Sequence, residues 1–201
     1  MKLKHINFSG MGANCYLIDT DDVRIVIDPF DTHEEIDEFF ATDKPKYIFL
    51  THFHFDHILG AKAIRDKHGA KIAIGKEDEI GLYNPEYSLC GMVGLTQEPF
   101  NADILFEDND VFEVGNTQIK VLHIPGHTAG SVCYIIDNYM FTGDTLFQGT
   151  VGRTDLPTSD FATMKKSLDR LKNLEGDYKI FAGHGLATTL DRERKMNPYM
   201  V

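Results

Sequence analysis

No stretch of the chain approaches the ~20 consecutive apolar positions that a membrane-crossing helix needs. The amino terminus, Met1-Lys2-Leu3-Lys4-His5, also lacks the apolar core of a secretory leader, so a cytoplasmic address is expected. Cysteine is scarce. Cys15, Cys90 and Cys133 are scattered, two of them in apolar strand-like runs, and they suggest buried thiols rather than a disulfide framework. Basic residues are in deficit, with 20 Lys and Arg against 31 Asp and Glu and a formal charge of −11. Nonspecific nucleic-acid binding needs clustered Lys and Arg to replace counterions, so that class is disfavoured, and the acidic excess reads as solubility. At 201 residues, 42% of them hydrophobic, the chain can bury one substantial core, and a single domain over 1–201 is expected.

The apolar pattern starts with strands. Lys2 to Phe8, Cys15 to Asp19 and Val23 to Ile27 alternate or run apolar between turn signals. Thr32 to Ala41 reads as a helix capped by Thr32, with Ile36, Phe39 and Phe40 on one face. An apolar strand, Tyr47 to Leu50, precedes a helix from about Ile58 to His68 that Gly69 ends, and Lys71 to Ile74 is a further short strand. Lys76 to Ala102 mixes a short helix with Pro85, Pro99, Gly91 and Gly94 and is expected to form a flap or surface excursion. A second half begins near Asp103 and runs in strands to Phe141, including Gln118 to Ile124 and Ser131 to Asp137. Phe161 to Leu174 spaces Met164, Leu168 and Leu171 for one buried helical face, and Tyr178 to Phe181 is the last strand.

The densest chemistry lies in Thr51-His52-Phe53-His54-Phe55-Asp56-His57, directly after the Tyr47 to Leu50 strand. If that strand continues, His52 and His54 point to one side, because strand side chains alternate, and Asp56 and His57 fall on the turn beyond. Grouped imidazoles beside a buried strand carry desolvation and repulsion costs unless something uses them. Imidazoles and carboxylates suit zinc, iron or manganese. Three further candidates stand at the ends of apolar runs beside glycine: His127, Asp144 and His184. Five histidines and two aspartates are enough for two ions, and the mixed nitrogen and oxygen set favours first-row transition metals over magnesium or calcium.

This set, in this order, closely resembles the metallo-β-lactamase superfamily, whose hallmark is His-x-His-x-Asp-His followed by a separate histidine, an aspartate and a last histidine. The resemblance implies an α+β fold, a four-layer αβ/βα sandwich with the metals in a cleft at the sheet edge. By position it implies that His52, His54 and His127 hold one ion and Asp56, His57 and His184 the other. Asp144 would bridge the two, and Asp56 and Asp144 would be catalytic as well. Asp28, in Ile25-Val26-Ile27-Asp28-Pro29, matches the family's first motif, an aspartate behind the ligands that supports their loop; without the match it reads as a turn aspartate before proline.

The implied reaction is hydrolysis by a hydroxide bridging two divalent ions, zinc first and iron or manganese as alternatives. Asp144 stands where class B β-lactamases typically carry cysteine, which argues against a lactamase. The run Thr142 to Asp155 is most similar to the glyoxalase II, or hydroxyacylglutathione hydrolase, branch, which implies a small-molecule thioester as substrate. That branch's carboxy-terminal helical region with glutathione contacts has no counterpart in the 17 residues after His184. Arg153 could meet a substrate carboxylate or pair with Asp155 or Asp160 at the surface. Tyr134 and Phe147 could line the pocket, though core packing is the simpler reading. Two other functions remain: a persulfide dioxygenase with one iron on His52 or His54, His127 and Asp144, and a catalytically silent metal-binding partner module.

Overall fold

The computed structural model describes every residue except Ser9 and Met11. The first sheet is built from β1 (Lys2–Asn7), β2 (Asn14–Asp19), β3 (Arg24–Ile27), β4 (Lys46–Phe49), β5 (Lys71–Gly75) and β6 (Ile104–Phe106), in that spatial order. The first three strands pair antiparallel, and β3 to β6 pair parallel. Parallel neighbours require crossovers, and helices supply them. These are α1 (Glu34–Phe40), the single turn α2 (Phe55–Ile58) followed by α3 (Ala61–His68), and the short turns α4 (Ile80–Tyr83) and α5 (Pro85–Ser88).

The second sheet contains β7 (Val111–Val114), β8 (Thr117–His123), β9 (Val132–Ile136) and β10 (Tyr139–Gly143), all antiparallel in sequence. A small hairpin, β11 (Leu146–Phe147) with β12 (Thr150–Val151), leads to α6 (Phe161–Lys172). Next, β13 (Lys179–Ala182) returns parallel to β10, and β14 (Thr188–Thr189) and α7 (Leu190–Met196) close the chain.

Alternation along the central strands shows why the layers stack. Ile25 and Ile27 pack between the sheets with Phe49, Val121, Tyr134 and Phe141, whereas Val26 and Ile48 point to the other face, against Ile36, Phe40 and Ile64 of the helices. On the far sheet, Leu122, Met140 and Ile180 meet Met164, Leu168 and Leu171 of α6. The result is helix, sheet, sheet, helix, which is the αβ/βα sandwich expected from the sequence. Strands apolar on both faces are the signature of sheets covered on both sides.

Several local expectations need correction. The β4 strand ends at Phe49, so His52 and His54 lie in the loop beyond it and Asp56 and His57 in α2. His33, not Thr32, caps α1: it is extended, and its Nδ1 accepts the Glu35 N–H at 3.2 Å. The helix expected over 58–68 is interrupted at Gly60, whose N–H turns to Pro29 O at 3.0 Å and whose Cα lies where a Cβ would strike the Asp31 backbone. The second half begins at β7 rather than near Asp103, because β6 pairs with β5 in the first sheet. Segment 76–102, expected as a flap or an irregular surface excursion, is an excursion of short helical turns with a packed inner side. Leu82, Cys90 and Phe100 are buried in it, and Gln97 Nε2 donates to the carbonyls of Gly81 and Leu82 at 2.8 Å each. All three cysteines are free and buried.

Candidate metal centre

The seven histidines and aspartates singled out in the sequence converge at one edge where the two sheets meet. Asp144 follows β10 and His184 follows β13, so the parallel pairing of these strands sets them side by side. The edge is stapled by hydrogen bonds that run between the two sheets. Asn14 N–H donates to Gly183 O at 2.7 Å, Tyr16 OH to Ala182 O at 2.6 Å and Tyr134 OH to Leu50 O at 2.7 Å. Tyr134 is therefore core, with its hydroxyl satisfied. Glycine is needed at position 183: a Cβ there would lie 2.2 Å from Asp144 Oδ1 and 2.7 Å from His57 Cε1.

Two groups of three take shape. His54 Nδ1 stands 2.9 Å from His127 Nε2, and the His52 ring lies 4.8 Å from each of their centroids. On the other side, His184 Nε2 is 3.1 Å from Asp56 Oδ2, and His57 Nε2 is 3.6 Å from the same oxygen. Asp144 sits between the groups, with Oδ1 3.4 Å from His57 Nε2 and Oδ2 3.6 Å from His127 Nε2. Within each group, one ligand atom per residue can be chosen so that all lie within 4.8 Å, close enough to share an ion.

The outer nitrogens are occupied. His57 Nδ1 faces Asp28 Oδ2 at 2.9 Å, His52 Nδ1 lies 3.1 Å from Thr51 Oγ1, and His127 Nδ1 is 2.9 Å from Arg153 O. Such partners fix ring orientation and tautomer, leaving the inner nitrogen free to bind an ion. Inner atoms are orphaned: among the described residues His52 Nε2, His57 Nε2 and Asp144 Oδ1 are buried without a hydrogen-bond partner, as is His54 Nε2 on the side of its ring away from His127. Buried polar atoms are rarely left this way unless an ion or catalysis uses them. The donor set therefore fits a pair of metal ions.

The electrostatics agree. Burial, then repulsion from neighbouring imidazoles, holds His52 well below its usual range, and burial followed by His127 and His57 takes His54 to about 2. Both are neutral, the form that binds metal. His57 behaves oppositely: burial opposes its charge, but Asp56, Asp144 and Asp28 together raise it to about 10. Burial would raise Asp56, but His57 and His184 hold it down at about 2. Three carboxylates around one buried imidazole make a place for positive charge.

Arg153 does not reach inward. Its guanidinium pairs with Asp155 through Nε at 2.7 Å and Nη2 at 2.8 Å, and only its main-chain oxygen touches the centre. Phe147 is half-buried 6.2 Å from the His184 ring, and together with Gln148, Thr150, Gly185 and Leu186 they line a cavity of about 350 Å³. Sequence reasoning gave no role to Thr51, Asn14 or Tyr16. Thr51 lies within the histidine motif, but hydroxyls and amides at strand ends carry no sequence signal that separates ties from ordinary polar residues.

A sequence model of the metallo-beta-lactamase superfamily matches residues 9–184. The chain belongs to that superfamily. Hydroxyacylglutathione hydrolase GloC of Haemophilus influenzae (strain ATCC 51907 / DSM 11121 / KW20 / Rd) is 32% identical over all of this chain and 98% of its own length. Among solved structures, BLEG-1 B3 metallo-beta-lactamase superposes with a TM-score of 0.90 at 28% identity, covering 99% of each chain. TTHA1623 in a di-iron-bound form gives 0.85 at 31% identity, covering 98% of this chain and 99% of its own.

Proposed function

We propose that this chain is a dinuclear metal-dependent hydrolase of small-molecule thioesters. In this reading His52, His54 and His127 would hold one divalent ion and Asp56, His57 and His184 the second, with Asp144 available to both. The observation that carries it is the convergence of orphaned inner atoms from both groups around Asp144. When bound, such a pair of ions supplies a nucleophile at neutral pH and stabilises charge on the carbonyl oxygen.

The chain's own residues supply the rest. His52, His54, His57 and His127 are buried and close the floor, whereas His184 is 39% exposed and opens to the cavity beside Phe147 and Leu186. Substrate enters from that side. Asp56 and Asp144 accept hydrogen bonds from water there and orient it. A thiolate, whose acid has a pKa near about 8.5, leaves without a strong acid to protonate it, so the absence of a lysine or tyrosine in the cavity lining is no obstacle to this bond. The similarity to hydroxyacylglutathione hydrolase GloC points to the same bond.

Two other readings enter the test. Although Asp144 argues against a lactamase, similarity to a B3 metallo-beta-lactamase makes a β-lactam amide the second bond to test. A persulfide dioxygenase would need one iron, a role that leaves the Asp56, His57, His184 group without use. The zinc- or iron-loaded protein is assayed with lactoylglutathione, a β-lactam, and glutathione persulfide with oxygen, each beside a chelated control. Chelator-sensitive loss of thioester absorbance supports the proposal. Turnover of only the lactam or the persulfide, in a sample holding two ions, would replace it.

A further inference from the structure

Asp78 ends a 3₁₀ turn, Lys76–Asp78, directly after β5, and it is fully buried without belonging to the metal centre. Its Oδ1 accepts the Gly130 N–H at 2.6 Å, and its Oδ2 accepts the Thr128 hydroxyl at 2.6 Å. Thr128 Oγ1 in turn lies 2.6 Å from Ser131 Oγ, which accepts the Thr128 N–H at 3.1 Å. Just beyond Asp78, a Cβ on Gly81 would lie 2.3 Å from Phe53 Cβ, so this stretch packs directly on Phe53. Phe53 separates His52 from His54, and Thr128 follows His127, so the 78–81 stretch meets both loops that carry the first histidine group, the His127 loop through the Asp78 carboxylate.

Close approach is built into the backbone. A Cβ on Gly130 would lie 2.4 Å from Asp78 N and 2.7 Å from its Oδ1, and one on Gly75 would lie 2.2 Å from Gly130 O. An acid buried this completely is costly unless its contacts are used. Asp28 sets the precedent within this fold, since it ties Thr51 and His57 together from the opposite side.

We infer that Asp78 is a positioning residue for the first ion, fixing the His54 loop to the His127 loop. This rests on the two-ion reading above. His54 Nδ1 and His127 Nε2 lie 2.9 Å apart, on two loops that both pack against the Asp78 stretch. Asp78→Asn can keep the tie, because its oxygen still accepts from Gly130 and its amide can donate to Thr128 Oγ1. Asp78→Ala cannot.

The test uses the full chain loaded with zinc, with both affinities read by competition against a chromophoric chelator. Loss of a partner behind a ligand typically costs about 10–100-fold in affinity. Asp78→Ala is expected to weaken one of the two ions by that order and leave the other near wild type, while Asp78→Asn restores both. A merely structural role would instead lower stability and weaken both ions equally, or neither. If wild type binds two ions and folded Asp78→Ala binds both with unchanged affinity, the inference fails alone. If wild type binds fewer than two, the two-ion reading fails and takes the inference with it. Should Asp78→Ala not fold, Thr128→Val carries the test: selective weakening of one ion supports the tie, and two unchanged affinities overturn it.

Discussion

The His57 imidazole and the Asp28 carboxylate face each other at 2.9 Å, Nδ1 to Oδ2, with both side chains withdrawn from solvent. The same carboxylate accepts the Thr51 N–H at 2.8 Å and the Thr51 hydroxyl at 2.6 Å. Asp28 has a positive φ of 53°, a conformation that aspartate tolerates better than most residues and that recurs at functional turns. It joins the end of β3 to the loop after β4. Asp28→Ala would strand the buried Thr51 N–H and release His57. We expect a loss of about 1–3 kcal/mol in urea unfolding of the metal-free protein and a drop of about 10–100-fold in zinc affinity. Unchanged affinity would remove the supporting role given to Asp28.

Asp78 gives a pH signature of its own. Burial lifts its carboxyl to about 7, against hydrogen bonds from Thr128 and Gly130 that pull it down. The folded chain thus keeps a proton that the unfolded chain releases near pH ~4, so this group's stabilisation is full at low pH and declines as pH rises toward about 7. Asp78→Asn removes the titration. Its stability relative to wild type should climb with pH across that window, by up to about 1.4 kcal/mol per pH unit, and then level off. Urea unfolding of both proteins at several pH values reads the difference directly, and a flat difference would contradict it.

Glu193 in α7 has a fully buried side chain. It accepts from Gly149 N–H and Thr188 Oγ1 at 2.6 Å each, while Asn197 Nδ2 reaches it at 3.1 Å and also donates to Thr150 O at 3.0 Å. Together they hold the β11–β12 hairpin that presents Phe147 to the cavity. Glu193→Ala should destabilise by roughly 1–3 kcal/mol and raise KM more than it lowers kcat. Steady-state kinetics on the substrate identified by the assay checks this split; a loss confined to kcat would place the residue elsewhere in the account.

Much of this was legible in the sequence because the ligands stand at strand ends, where apolar runs such as Tyr47 to Leu50 and Ile180 to Phe181 announce themselves. The four layers were harder to read from the residues alone. Composition does not say which face of Val26 or Ile48 meets a helix and which neighbouring residue meets a sheet, and the family resemblance supplied that step. Other features left no readable trace. The stop of β4 at Phe49 depends on Asp28 capturing the Thr51 N–H, a contact between residues 23 positions apart. Asp78 sits in Lys76-Glu77-Asp78-Glu79, where nothing local separates the buried carboxylate from its two neighbours. His33 displaced Thr32 as a cap through its backbone conformation, which the residue types did not reveal.

In the proposed two-ion centre, Asp144 is the group that would serve both halves. Asp144→Ala should fold, as judged by an unchanged far-UV spectrum, yet lose zinc affinity by more than the ~100-fold that a partner behind a ligand costs. Hydrolysis should disappear with it. Full activity in this variant would remove the bridging position.

The most direct measurement is the number and position of ions in a crystal of the metal-replete protein, located by anomalous scattering. The account predicts two per chain, one within bonding reach of His52, His54 and His127, the other of Asp56, His57 and His184, with Asp144 touching both. A single ion, or two ions that leave Asp144 uncoordinated, would contradict it.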